Sequence, residues 1–210
     1  MSPAAPAAVT FLVDVDNTLL DNDHVTADLR RYLDRTVGAE RRARYWAHFE
    51  ALRKELGYAD YLGALQRYRL EFPRDLHLLN VSAFLIDYPF ANRLYPGSLD
   101  VLERFRAWGP TVILSDGDVV FQPRKVRRAG LYDLVDDKLR ILSTIKRAWG
   151  GRVTTVFPRQ GHYAHDPEIL AANPAADLTV EHIGDLVDYD LSTLRARASA
   201  GATAGPGQRR

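Results

Sequence analysis

Apolar and polar positions follow two different rhythms along this chain. Near the start, residues 9–15 (VTFLVDV) form a short β-branched and aromatic run, the pattern of a buried strand. It ends where turn-forming residues begin, at Asp14-Val15-Asp16-Asn17-Thr18. From about residue 26 to residue 90 the period becomes helical. Within residues 39–56 (AERRARYWAHFEALRKEL), Tyr45, Phe49, Leu52 and Leu56 fall at steps of four, three and four, one face of a helix. Gly38 and Gly57 stand where helix ends are expected, and residues 60–70 continue the helical pattern. Pro89 and Pro96-Gly97 close the block, and Ser98 reads as the N-cap of a helix over residues 99–108.

The strand rhythm then returns. Residues 111–114 (TVIL) end in Ser115-Asp116-Gly117-Asp118, and a helix is predicted over residues 119–129 with Pro123 in its first turn. A short apolar stretch, residues 131–135, ends in Asp136-Asp137. A helix over residues 138–149, strands at 152–157 and 177–183, and a closing helix at 185–191 complete the series. Strands alternating with helices predict an α/β fold with a doubly wound parallel sheet. The helical block of residues 20–95 lies between the first two strands, which predicts an inserted all-helical cap. The core is then residues 9–19 and 96–194, with a flexible N-terminus at 1–8 and a disordered tail at 195–210.

Composition narrows the chemistry. The chain has 210 residues, 46% of them apolar and 26% charged, which suits a globular domain with a real core. A net charge of +1 gives no reason to expect nucleic acid or an anionic membrane as partner. No apolar run is long enough to cross a membrane. The Ala/Pro-rich start lacks the basic region of a signal peptide, so a soluble, cytoplasmic protein is expected. With no cysteine, thiolate nucleophiles and Cys-ligated metals are excluded. Of 28 basic residues only four are lysines: Lys54, Lys125, Lys138 and Lys146.

Ligands of doubly wound sheets bind at the carboxyl ends of the strands. Three such ends are polar here: Asp14/Asp16/Thr18, Ser115/Asp116/Gly117 and Asp136/Asp137. Gathering carboxylates is costly unless a cation compensates. Mg²⁺ takes oxygen ligands, and carboxylates, a hydroxyl, backbone N–H groups and Mg²⁺ together suit phosphoryl transfer.

These segments resemble motifs of the haloacid dehalogenase-like (HAD) superfamily. FLVDVDNTLLDND is similar to motif I, D-x-D-x-T after a hydrophobic strand; TVILSDGD resembles motif II and LVDDK the acidic motif IV. The resemblance covers about residues 9–190, and the interval from Thr18 to Ser115 suits a helical C1-type cap. It implies a HAD-like core and a phosphatase acting on a small phosphate ester. Asp14 would be the nucleophile, forming an aspartyl-phosphate. Asp16 would protonate the leaving oxygen and then activate water. Thr18 would orient that acid, Ser115 would bind phosphoryl oxygens, and backbone N–H groups near Asp16 and Gly117 would add donors. Mg²⁺ would be held by Asp14, the main-chain carbonyl of Asp16, and Asp136 or Asp137. Asp16 also argues against dehalogenation, whose enzymes have no leaving oxygen to protonate.

One motif of the family is not in its place. Motif III supplies a lysine between motifs II and IV, but the interval from Ser115 to Asp136 has room for one helix and one short strand. The core is therefore expected to be smaller than usual, with the motif II strand exposed as an edge. Lys138, next to Asp136-Asp137, is the candidate substitute, whereas Lys125 reads as part of a solvated basic face (Arg124-Lys125-Val126-Arg127-Arg128). A different alignment would place motif IV at Gly184-Asp185-Leu186-Val187-Asp188. Gln160 and His162, and Arg159 beside them, follow a strand and are candidate substrate-binding groups. The competing expectation is a HAD-like protein with impaired catalysis, a deletion form or a binding module.

Overall fold

The computed structural model describes residues 9–115, 117–134, 137–139, 153–172 and 175–201, with 137–139, 172 and 197–201 by backbone alone. The first strand, β1 (Phe11–Val13), pairs in parallel with β2 (Thr111–Leu114), and β2 pairs in parallel with β3 (Asp137–Leu139), in the order β1-β2-β3. All four residues of β2 are buried, as expected of a central parallel strand covered on both faces. A second parallel pair joins β4 (Val156–Pro158) to β5 (Leu178–Val180). β5 falls inside a segment predicted as a strand, and β4 overlaps the end of another and runs one residue past it.

The helix before β2 and the helix after it shape the core around this sheet. Helix α4 (Ser98–Trp108) packs Phe105 flat against Phe11 of β1, ring centres 4.2 Å apart. Its N-cap position is Gly97, not Ser98 as expected; the Ser98 hydroxyl instead donates to the Leu19 carbonyl at 2.9 Å. Helix α5 (Phe121–Arg128) follows β2, with Pro123 in its first turn as predicted.

The third strand departs from expectation in two ways. Residues 132–134, predicted as part of a strand, form a 3-10 turn, and β3 begins at Asp137. The strand also lies beside β2, on the side away from β1, so β2 is not an edge. The reason is connection length. With one helix between them, consecutive parallel strands join by a single crossover and come to lie side by side. Reaching the far side of β1 would need a longer connection.

Between β1 and β2 stands a helical insert: α1 (Asn22–Leu56), α2 (Tyr61–Glu71) and α3 (Leu78–Asp87). Helix α1 kinks at Gly38, where φ is 84°, and ends at Gly57 in the left-handed conformation, matching the two glycines read as stops. Tyr45, Phe49 and Leu52 are buried as their spacing predicted, against Tyr61 and Tyr68 of α2. The two connections to the core run together: the Asp21 N–H donates to the Arg93 carbonyl at 2.7 Å and the Tyr95 N–H to Leu19 at 2.9 Å. A last helix, Leu191–Gly201, runs into the segment expected to be a disordered tail. Among the described residues no helix is long and apolar enough to cross a membrane.

Candidate active site

The site grows from the turn that ends β1. The N–H groups of Thr18, Leu19 and Leu20 all point at the Val15 carbonyl, at 3.3, 3.0 and 2.9 Å, and Asn17 takes a left-handed φ of 58°, a conformation asparagine tolerates better than most residues. This tight turn throws Asp14, Asp16 and Thr18 to one end of the sheet. The Thr18 hydroxyl donates to Asp14 Oδ2 at 3.0 Å. Thr18 therefore orients the expected nucleophile, not the acid as the resemblance implied.

Asp16 is held from another direction. Lys125 Nζ donates to its Oδ1 at 2.7 Å, and Gln122 Nε2 to its Oδ2 at 2.9 Å. Lys125 is 0% exposed. Its ammonium also donates to Asn22 Oδ1 at 3.1 Å and lies 5.3 Å from the centre of the Phe121 ring and 5.9 Å from that of Phe90. The reading of Lys125 as a solvated surface residue is thus corrected. Phe121, Lys125 and Ala129 are spaced by four and, with Gln122 and Val126, form the buried face of α5, while Arg124, Arg127 and Arg128 face solvent. Plotting the basic run on a helix would have shown its lysine alone among apolar neighbours.

The other expected residues are distributed as follows. Val13 pairs with Ile113, so Ser115 stands just beyond the end of β2, one strand over from the Asp14–Asp16 turn. The Gly117 N–H approaches the Ser115 hydroxyl at 3.4 Å. A Cβ on Gly117 would come within 2.3 Å of Gln122 Nε2, so this glycine makes room for the side chain that holds Asp16. Of the backbone N–H groups near Asp16, expected as phosphoryl donors, those of Asn17 and Thr18 are taken by the Leu20 and Val15 carbonyls.

Gln160 is buried and accepts from the Ile183 N–H at 2.7 Å, while Arg159 pairs with Glu181 at 3.2 Å. His162 docks on Asp23 at the start of α1, through its N–H at 2.7 Å and through its ring. Burial raises the Asp23 carboxyl, but hydrogen bonds from Asn17 and from the His162 backbone and ring outweigh it, and the carboxyl ends below its ordinary value. Gly161 makes this docking possible: its φ is 71° and an added Cβ would meet the Asn17 side chain at 2.5 Å. His162, with Gly161 making room, thus fastens the loop after β4 to Asp23, which Asn17 of the Asp14–Thr18 turn also holds.

The register of β3 moves two candidates away from the site. Asp137 pairs with Val112 and Lys138 with Ile113, so their backbones lie two strands from β1, about 9.5 Å across the sheet. Asp137 is also two positions short of the strand's carboxyl end. Asp137 and Lys138, expected as metal ligand and catalytic lysine, thus start from a strand that does not adjoin β1. Asp136, Asp116 and Lys146 lie outside the described residues.

A family model for haloacid dehalogenase-like hydrolases matches residues 9–148. The chain belongs to this family. A haloacid dehalogenase-like hydrolase from Burkholderia xenovorans LB400 is 56% identical and superposes with a TM-score of 0.83, covering 90% of this chain and 99% of that one. L-2-haloacid dehalogenase from Xanthobacter autotrophicus, at 19% identity, has a TM-score of 0.51 over 86% of this chain and 97% of its own. A HAD-like hydrolase from Xanthomonas campestris, at 18% identity, reaches 0.58 over 92% and 94%. The last two likenesses are of fold alone. No curated protein matches.

Membership of the HAD-like hydrolases raises the question of Mg²⁺. Asp14 and Asp16 share the turn after β1, whereas β3, whose backbone carries Asp137, does not adjoin β1. Among the described residues no group of three or more His, Cys, Asp or Glu side chains is placed to hold a metal ion. The compensating charge at Asp16 is the Lys125 ammonium. The described residues therefore do not complete a Mg²⁺ site. The positions missed by sequence reasoning are Lys125, Gln122, Asn22 and Tyr61. The Tyr61 hydroxyl lies 3.0 Å from Thr26 Oγ1 and 3.3 Å from Asn22 Nδ2. Burial pushes this hydroxyl up, Thr26 offsets part of the rise, and the charge of nearby Asp16 adds to it.

Proposed function

We propose that this HAD-like hydrolase is a phosphatase that cleaves a small phosphate ester through an aspartyl-phosphate on Asp14. The observation that carries the reading is the pairing within one turn: Asp14 fixed by Thr18, and Asp16 two residues on with both its oxygens hydrogen-bonded by α5. A nucleophile with a second, separately held carboxyl beside it suits a leaving group that must be protonated. A halide leaves without a proton.

In the first step an Asp14 carboxylate oxygen attacks phosphorus, the bond to the ester oxygen breaks, and Asp16 gives its proton to that oxygen. In the second, water attacks the phosphorus of the aspartyl-phosphate and gives a proton to Asp16, which releases inorganic phosphate and restores Asp14. Ser115, one strand away, would donate to the phosphoryl oxygens.

The test is a panel of phosphate esters in Mg²⁺-containing buffer, with 2-chloropropionate as the dehalogenase control. Phosphate release that Asp14→Asn lowers by at least about 10³-fold is expected. Halide release without phosphate release would overturn the reading. One observation favours impaired catalysis instead: the short link from β2 to β3 sets the backbone of β3 beside β2 and not beside β1. Wild-type protein inactive on every ester would select that alternative.

A further inference from the structure

A buried ammonium needs a reason, because an uncompensated charge in an apolar setting is strongly unfavourable. Lys125 is 0% exposed and carries its charge to one place. Its Nζ meets a core carboxylate, Asp16 Oδ1, at 2.7 Å and the side chain of the first residue of α1, Asn22 Oδ1, at 3.1 Å, close to the rings of Phe121 and Phe90. The ammonium does not reach Asp16 Oδ2, which accepts from Gln122 Nε2 at 2.9 Å. The Gln122 Oε1 atom is buried and lacks a hydrogen-bond partner.

We infer that Lys125 is a positioning residue for Asp16. An ammonium has donors only, so Oδ1 remains an acceptor whatever the protonation state of the carboxyl, and the transferable proton resides on Oδ2. Gln122 can serve both states at that atom. Its Nε2 donates to Oδ2 when the carboxyl is ionised; a half-turn of the amide presents Oε1, the atom now without a partner, to accept the Oδ2–H proton. Lys125 thus divides the two oxygens of Asp16 into an anchored one and a working one. Because it also holds Asn22, that division is set where α1 leaves the core.

The inference rests on the phosphatase reading, and leaving-group dependence separates the two. Phenyl phosphate and p-nitrophenyl phosphate are similar in size, but phenolate is the poorer leaving group and needs the proton more. In Lys125→Met, kcat/KM for phenyl phosphate should fall about tenfold more than for p-nitrophenyl phosphate. In an Asp16→Asn background Lys125→Met should not change the ratio further. Circular dichroism checks folding, and Asn22→Ala, which removes the second acceptor of Lys125 together with the longer Asn22–Tyr61 hydrogen bond, should shift the ratio in the same direction by about threefold if the lysine variant fails to fold. Equal falls for both esters, or a ratio that still responds without Asp16, would overturn the inference while leaving the phosphatase reading in place. A wild-type protein that releases phosphate from neither ester would overturn both.

Discussion

Two acidic segments of this chain meet opposite fates. Asp14 and Asp16 leave the end of β1 in a tight turn, and each finds a dedicated donor: Thr18 for one, Lys125 and Gln122 for the other. Asp136 and Asp137 follow a comparable apolar run, yet Asp137 opens β3 on the far side of β2. The difference teaches that an acid after an apolar stretch is a candidate ligand only if the topology delivers the strand's carboxyl end to the site. A single helix links β2 to β3, so the strand goes to β2's open side and its acid starts at the wrong end.

Four measurements would break or sharpen that contrast. The largest effect is expected from Asp16→Asn, about 10²- to 10⁴-fold in kcat/KM on phenyl phosphate; a fall below tenfold would remove Asp16 from the proton path. Gly117→Ala comes next. Its Cβ would displace the Gln122 amide, and about a tenfold loss of activity with little change in melting temperature is expected, because a side-chain end can move where backbone cannot. Unchanged activity would mean that Gln122 does not act on Asp16.

A smaller effect concerns stability. The folded Asp23 carboxyl lies below its ordinary value, so it stabilises the fold above the ordinary carboxylate pKa and loses that contribution as pH falls through the lowered folded value. Asp23→Asn should therefore cost stability at neutral pH, less than about 1 kcal/mol at this partly exposed position, and lose less on acidification below about pH 4. Thermal melts across pH 2–7 read this; parallel wild-type and variant curves would refute it. The smallest change is expected from Asp137→Asn, with kcat/KM within about threefold of wild type. A loss of a hundredfold would place Asp137 at the site and reverse the comparison.

Much of the fold was legible because it depends on local pattern. The β1 run, the steps of Tyr45, Phe49 and Leu52, and the placement of Pro123 all report periodicity and backbone preference, which neighbouring residues decide. The Asp14-x-Asp16-x-Thr18 turn was legible for the same reason. The identity of Asp16's partner was not, since Lys125 is 109 positions away in the chain. Its burial showed faintly, in the four-residue steps from Phe121 to Ala129, but the surrounding arginines concealed it.

The sequence by itself determined the class of fold, the helical insert between two strands and the pair of aspartates at the end of the first. Tertiary structure alone decided which cation pairs with Asp16 and which strand flanks which. Ion pairing and strand order depend on through-space distance and on the reach of connections. A chain that specifies its local turns clearly can therefore still leave its most deeply buried charge looking like surface.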